Sequence, residues 1–178
     1  MPPHPRPEPP RPEGMAVYEE GDTVSASWRW YTWQALVTLV FSLAGLWFVA
    51  THGSDARHGP AGALVLRALL ALTCAGVAYT GLARLLNRTT FTVTPEVVTV
   101  TNGPLPWRGG GTWSTLGWER VSVEKTGLES EESARYQLVV DRRGYQLRVG
   151  PAVPEAARAR WLGWLLETRL RLSSEPPA

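Results

Sequence analysis

Hydrophobic positions divide this chain into three textures: a proline-rich start, two long apolar runs, and a region where apolar and polar residues alternate. The first run, WYTWQALVTLVFSLAGLWFVA, extends from about Trp30 to Ala50 without a formal charge. That is the length at which a helix crosses a hydrocarbon core, and the run lacks the one-sided stripe of a soluble core helix. Trp28, Trp30, Tyr31 and Trp33 gather at its start, with Trp47 and Phe48 near its end, where aromatic rings favour the headgroup level. The second run, AGALVLRALLALTCAGVAYTGLARLL, covers 61–86 and is interrupted by Arg67. An arginine at the bilayer centre costs about 3 kcal/mol or more. Near the start of the run Arg67 reaches the interface by snorkelling, and neither run offers an acidic partner for a gating charge. A transmembrane helical hairpin over 28–88 follows, with helices at about 30–50 and 65–86. Ala71, Ala75, Gly76 and Ala78 permit close packing against the first helix or another subunit.

Between the runs lies THGSDARHGP, whose Gly53, Gly59 and Pro60 predict a solvated turn. His52, Asp55 and His58 within it match no metal-ligand spacing. Residues 1–27 form an expected Pro-rich disordered tail and lead-in, because the prolines of the first fourteen residues bury nothing and cannot build a helix. That stretch lacks the basic-then-apolar order of a simple signal peptide. Arg29, Arg84 and Arg88 flank the runs on one side, against Arg57 and Arg67 on the other. This excess places both termini in the cytoplasm under the positive-inside rule.

Beyond Asn87 the period changes to two. Phe91 and Val93 alternate with threonines, Pro95 and Glu96 break the run, and Val98 and Val100 resume it, which predicts a β-hairpin. Further alternation follows at Val121 and Val123, and YQLVVD and YQLRV flank a tight turn at Asp141-Arg142-Arg143-Gly144. Six or so short strands predict an antiparallel sheet or partly open barrel over 89–172. Its last element, 154–172, is a helix opened by Pro154 and Glu155. Ala157, Trp161, Trp164, Leu165, Thr168 and Leu172 form its apolar stripe, with Arg158, Arg160, Glu167, Arg169 and Arg171 opposite. The stripe is expected to dock on the uncovered sheet, the bilayer surface being the alternative. Residues 173–178 form a short tail.

Charge and chemistry narrow the picture further. A net charge of +2 implies no polyanion partner, and no basic stripe of a nucleic-acid binder occurs. Cys74 is the single cysteine and lies within the second run, so no intrachain disulfide exists and Cys74 reads as a packing residue. The β region lacks histidine, and the chain has no HExxH, CxxC, phosphate-binding glycine loop or nucleophile elbow. Gly109-Gly110-Gly111 reads as a flexible loop, and Glu129, Glu131 and Glu132 as a solvated one. No enzyme, cofactor, metal site or small-molecule substrate is expected.

The run NRTTFTVTPEVVTVTNGPLPW (87–107), directly after a two-helix hairpin, resembles bacterial two-pass membrane proteins with a PH-like cytoplasmic domain. The order of strands followed by one C-terminal helix is also that of the pleckstrin-homology fold. The resemblance implies an α+β fold: a transmembrane helical hairpin followed by a PH-like antiparallel sheet or partly open barrel with one C-terminal amphipathic helix. Lipid-binding PH domains cluster Lys and Arg around the first strand pair, whereas here Thr94-Pro95-Glu96 is not basic and Arg108 stands alone in the next loop. The expected protein is integral to the bilayer of a bacterial inner (cytoplasmic) membrane. Its β domain is a scaffold that recruits or stabilises a protein partner, or self-associates. The alternative is a sensor of anionic headgroups. Trp107, Arg108, Arg142 and Arg143 are the candidates for lipid or partner contact.

Overall fold

The computed structural model describes residues 7–52, 60–126 and 134–172. In chain order it contains β1 (Met15–Glu20), β2 (Thr23–Arg29), α1 (Trp33–His52), α2 (Pro60–Leu86), β3 (Arg88–Val93), β4 (Val97–Gly103), β5 (Gly111–Ser114), β6 (Trp118–Thr126), β7 (Arg135–Arg142), β8 (Tyr145–Val153) and α3 (Ala156–Leu170). The fold is thus α+β, with two apolar helices, antiparallel sheets and a C-terminal helix. It divides into two compact units: Met1–Trp28, Thr89–Asn102 and Pro106–Ala178 make one, and Arg29–Arg88 with Gly103–Leu105 the other.

In the β unit, strands run in the order β1-β2-β3-β4-β5 in one sheet and β6-β7-β8 in another. Six strands follow α2 among the described residues, as the alternation predicts. The lead-in differs from expectation. Residues 15–27 are not a continuation of the tail but form β1 and most of β2, paired antiparallel from Met15↔Trp28 to Glu20↔Thr23 around a turn with Gly21 at φ +58°. On β2, Val24, Ala26 and Trp28 point inward and are buried. Trp28, expected at the headgroup level, is therefore a core residue, because it continues this two-residue period. Since β2 and β3 are neighbours, α1 and α2 are inserted between adjacent strands of one sheet.

The two sheets meet where Gly150, at φ +71°, brings β8 close to the side chains of Val100 and Phe91. The β8 ladder slips beside it, and the Gln137 amide fills the irregularity by donating to Val149 O at 3.1 Å and Gly150 O at 3.0 Å. The core is made of Val24, Phe91, Val93, Val98 and Val100 from one sheet, Val139, Val140 and Val149 from the other, and Trp161, Leu162 and Leu166 from α3. Each such side chain contributes about 1.5–3 kcal/mol of apolar burial.

Helix α3 packs on β6, β7 and β8, the docking expected of its apolar stripe. Its phase differs from the expected one. Arg158, Ala159, Trp161, Leu162, Gly163, Leu165 and Leu166 are buried, while Ala157 and Thr168 are exposed. The centre of the stripe is the Arg158–Leu162–Leu165 row, so Arg158 moves from the solvent face to the buried one. Pro154, expected at the first helical position, lies before the helix: Glu155 occupies the N-cap, and Arg171 ends the helix in the left-handed region at φ 51°.

In the other unit, α1 and α2 lie against each other along small residues. A Cβ on Gly81 would stand 3.2 Å from Ala35 O, and one on Gly45 would stand 3.0 Å from Cys74 Sγ. Away from this contact Phe41, Trp47, Leu64 and Leu72 are exposed, with no described residue covering them. Their apolar stretches, Trp33–Thr51 and Ala61–Leu86, are long and apolar enough to cross a membrane, and only 11% and 0% of their most apolar windows are buried. A soluble core helix would be mostly buried. Thr38, Ser42, Thr51, Thr73 and Thr80 turn their hydroxyls back onto helix carbonyls, which satisfies them without water. Pro60 at the first helical position starts α2 several residues before the expected boundary.

Candidate functional site

Trp107 and Arg108 lie in the loop between β4 and β5, and the structure pins this loop from both ends. Asn87 is fully buried directly after α2. Its side-chain amide donates to Leu105 O at 3.0 Å, and its Oδ1 accepts from Leu105 N–H at 2.8 Å. The asparagine thus pairs with Leu105 as a neighbouring strand would. Further along, Thr89 donates to Asn102 Oδ1 at 2.7 Å, and Asn102 Nδ2 donates to Arg108 O at 3.1 Å. The glycine triplet that follows is closely packed rather than flexible. Gly109, at φ +90°, sits where a Cβ would be 3.0 Å from Pro151 Cβ, and on Gly110 a Cβ would be 3.0 Å from Val100 O. Trp107 is 37% exposed.

Arg142 and Arg143 belong to the other sheet. Arg142 pairs with Tyr145, so the hairpin turn is Arg143-Gly144, both at positive φ (46° and 86°), as a type I′ turn requires. The Arg143 side chain lies over the turn before β6, where a Cβ on Gly117 would meet its Nε at 3.1 Å. Beside this hairpin is an open depression of about 540 Å³ lined by Glu119, Arg120, Asp141, Gly144, Tyr145 and Gln146. Arg120, Asp141 and Gln146 are cross-strand neighbours in register. Two carboxylates against one guanidinium give the depression no surplus of positive charge, so it is a poor cradle for a phosphate. The four sequence candidates therefore fall into two pairs on different sheets.

Arg158 was not legible as a special residue. Its guanidinium lies over the Trp28 ring, 5.4 Å from the centroid, and its Nη2 is 3.1 Å from a Glu155 carboxylate oxygen. Its Nε has no hydrogen-bond partner among the described residues, nor has Trp161 Nε1 one turn on. Loss of hydration lowers its pKa from the ordinary value, and Glu155 opposes that shift. The available signal was spacing, since position 158 stands three and four residues before Trp161 and Leu162. Charge obscured it.

No group of three or more His, Cys, Asp or Glu that could hold a metal occurs among the described residues. The glutamates at 129, 131 and 132, Asp55, His58 and the His52 side chain lie outside them. The chain matches no protein-family model and no curated protein.

Proposed function

We propose that this chain is a two-pass integral membrane protein, with α1 and α2 as a transmembrane hairpin, both termini in the cytoplasm and a PH-like β domain at the inner face of a bacterial cytoplasmic membrane. There the domain is a non-catalytic scaffold that recruits or stabilises a protein partner or a second copy. The observation that carries the anchor is the insertion of two uncovered apolar helices between adjacent strands of one sheet. Water is a poor solvent for Phe41, Trp47, Leu64 and Leu72, and a hydrocarbon core is a good one. Because β2 and β3 share a sheet, a first crossing requires a second one back. At 27 residues α2 is about 40 Å long, against a core of about 30 Å. With Leu86 at one interface, the segment 68–86 fills the core and Arg67 stands at the opposite edge. The PH-like reading is supported by the strand meander and by α3 covering β6–β8.

The scaffold reading is supported by a self-contained β core without a cluster of catalytic groups in the described residues. The alternative, a sensor of anionic headgroups through scattered arginines, has less support. Arg142 and Arg143 adjoin Asp141, and the depression beside them holds Glu119 as well. Alkaline carbonate extraction should leave the full chain in the membrane pellet, and release into the supernatant would remove the anchor. Cross-linking of the full chain within membranes should yield one reproducible adduct, with a partner or a second copy. A chain that yields none is not a scaffold.

A further inference from the structure

We infer that residues 104–108 form a membrane-surface loop, in which Leu105 and Trp107 enter the phospholipid headgroup layer and Arg108 meets the lipid phosphates. The inference rests on the reading of α1 and α2 as spans, and it assigns a third bilayer contact to a part of the chain outside them. Its first support is position. Leu105 is bonded through both its N–H and its C=O to Asn87, the residue directly after α2. If Leu86 ends the span, Leu105 lies at the same interface. Trp107 is two residues further on, a reach of at most about 7 Å, while the headgroup layer is about 5–7 Å deep on each side of the core.

The second support is chemical. Pro104 and Pro106 have no N–H, and the N–H of Leu105 is satisfied by Asn87. Across 104–106, therefore, no backbone N–H is left that would need water, which lowers the cost of approaching an apolar phase. The side chains Pro-Leu-Pro-Trp are uncharged, and Pro104, Pro106 and Trp107 are exposed. Tryptophan is the residue whose ring favours the headgroup level. The next residue, Arg108, is exposed and carries the charge that lipid phosphates accept. The loop does not flex freely, because Asn102 holds Arg108 O and the glycines beyond it pack closely. Leu105 is held by the residue that directly follows α2, so a lipid surface is the occupant rather than a protein partner.

The test uses the full chain carrying Cys74→Ala, reconstituted in phospholipid vesicles, with one cysteine added by Trp107→Cys or Arg108→Cys and labelled with a fluorophore. Carbonate resistance of the same samples reports insertion. The inference expects both labels to be quenched by lipid bearing a headgroup nitroxide, and to be protected several-fold from aqueous iodide relative to free dye. An inserted protein whose 107 and 108 labels meet iodide like free dye and ignore the nitroxide overturns the inference while leaving the anchor intact. A protein released by carbonate overturns the anchor and the inference together. Should Trp107→Cys disturb folding, as seen in the intrinsic tryptophan emission, the exposed position 108 carries the test alone.

Discussion

Gln137 and Arg158 are buried polar residues of the β unit whose environments lead to opposite expectations. Gln137 spends its amide on the carbonyls of Val149 and Gly150, where β8 slips out of register. Replacing it with methionine keeps the volume but strands those carbonyls, at a cost of about 1–3 kcal/mol. Thermal unfolding of Gln137→Met in nanodiscs, followed by near-UV circular dichroism, should show a lower midpoint. An unchanged midpoint would mean that water satisfies the slip. For Arg158 the desolvation cost is offset by a ring face and a half-exposed carboxylate. Exchanging such a buried cation for an apolar side chain of similar length is often neutral or stabilising. Arg158→Met should therefore unfold no earlier than the parent, whereas Arg158→Ala, which opens a cavity over Trp28, should unfold earlier. The pH behaviour follows from the same burial. A depressed folded pKa on a base means that the cost of burying the cation is present at every pH below that value and is relieved only above it. For a guanidinium this lies in strong alkali, so between about pH 5 and 9 Arg158 adds no slope to stability. A parent slope there that vanishes in Arg158→Met would contradict this.

Elements differed in how far the chain revealed them, and the reason is what covers each one. The apolar helices were legible because Leu, Val and Phe are exposed over most of their surface, away from the small-residue contact between α1 and α2. The β3–β4 and β7–β8 hairpins were legible because β-branched alternation and turn residues agree. β1 and β2 were not. Their inner row is Met15, Val24, Ala26 and Trp28, while Glu19 and Glu20 face solvent next to a proline-rich stretch, so the pattern resembles a charged linker. Missing β2 also shifted the phase of α3, because Trp28 on β2 is what makes position 158 an interior one. Of the surface loop, Trp107 and Arg108 could be picked out as a ring and a charge in sequence. Asn87 and Asn102, which hold the loop, could not, since their bonds reach across as many as eighteen positions and carry no local signature. The contact between α1 and α2 makes a prediction of its own. A Cβ on Gly45 would stand 3.0 Å from Cys74 Sγ, the kind of approach disulfide geometry needs. Mild oxidation of Gly45→Cys in membranes should close an intrachain bond to Cys74, found by non-reducing peptide mapping. A chain that forms only intermolecular disulfides would place Cys74 between copies instead.

At the scale of the whole molecule, the sheet order restricts topology more strongly than the flanking charges do. Arginine counting depends on Arg29, Arg84 and Arg88 outweighing Arg57 and Arg67, a margin small enough for one substitution to erase. The hydrogen-bonded sequence β1-β2-β3 is indifferent to charge. It requires residues before α1 and after α2 to fold together, in one compartment, into a unit whose core draws on Val24 and Trp28 as well as Phe91 and Leu162. A membrane can separate those parts only by removing β1 and β2 from the sheet, which exposes Val24, Ala26 and Trp28 and leaves Arg158 without its ring. Epitope tags placed ahead of β1 and after α3 should therefore share one fate with external protease in right-side-out cells and the opposite fate in inverted vesicles, and the proposed cytoplasmic termini expect protection in the cells. Shifting the charge balance, by Arg84→Gln with Arg88→Gln, should turn both tags over together or neither. Tags on opposite sides would mean that only one of α1 and α2 crosses, and that the five-stranded sheet does not form in the membrane-bound chain.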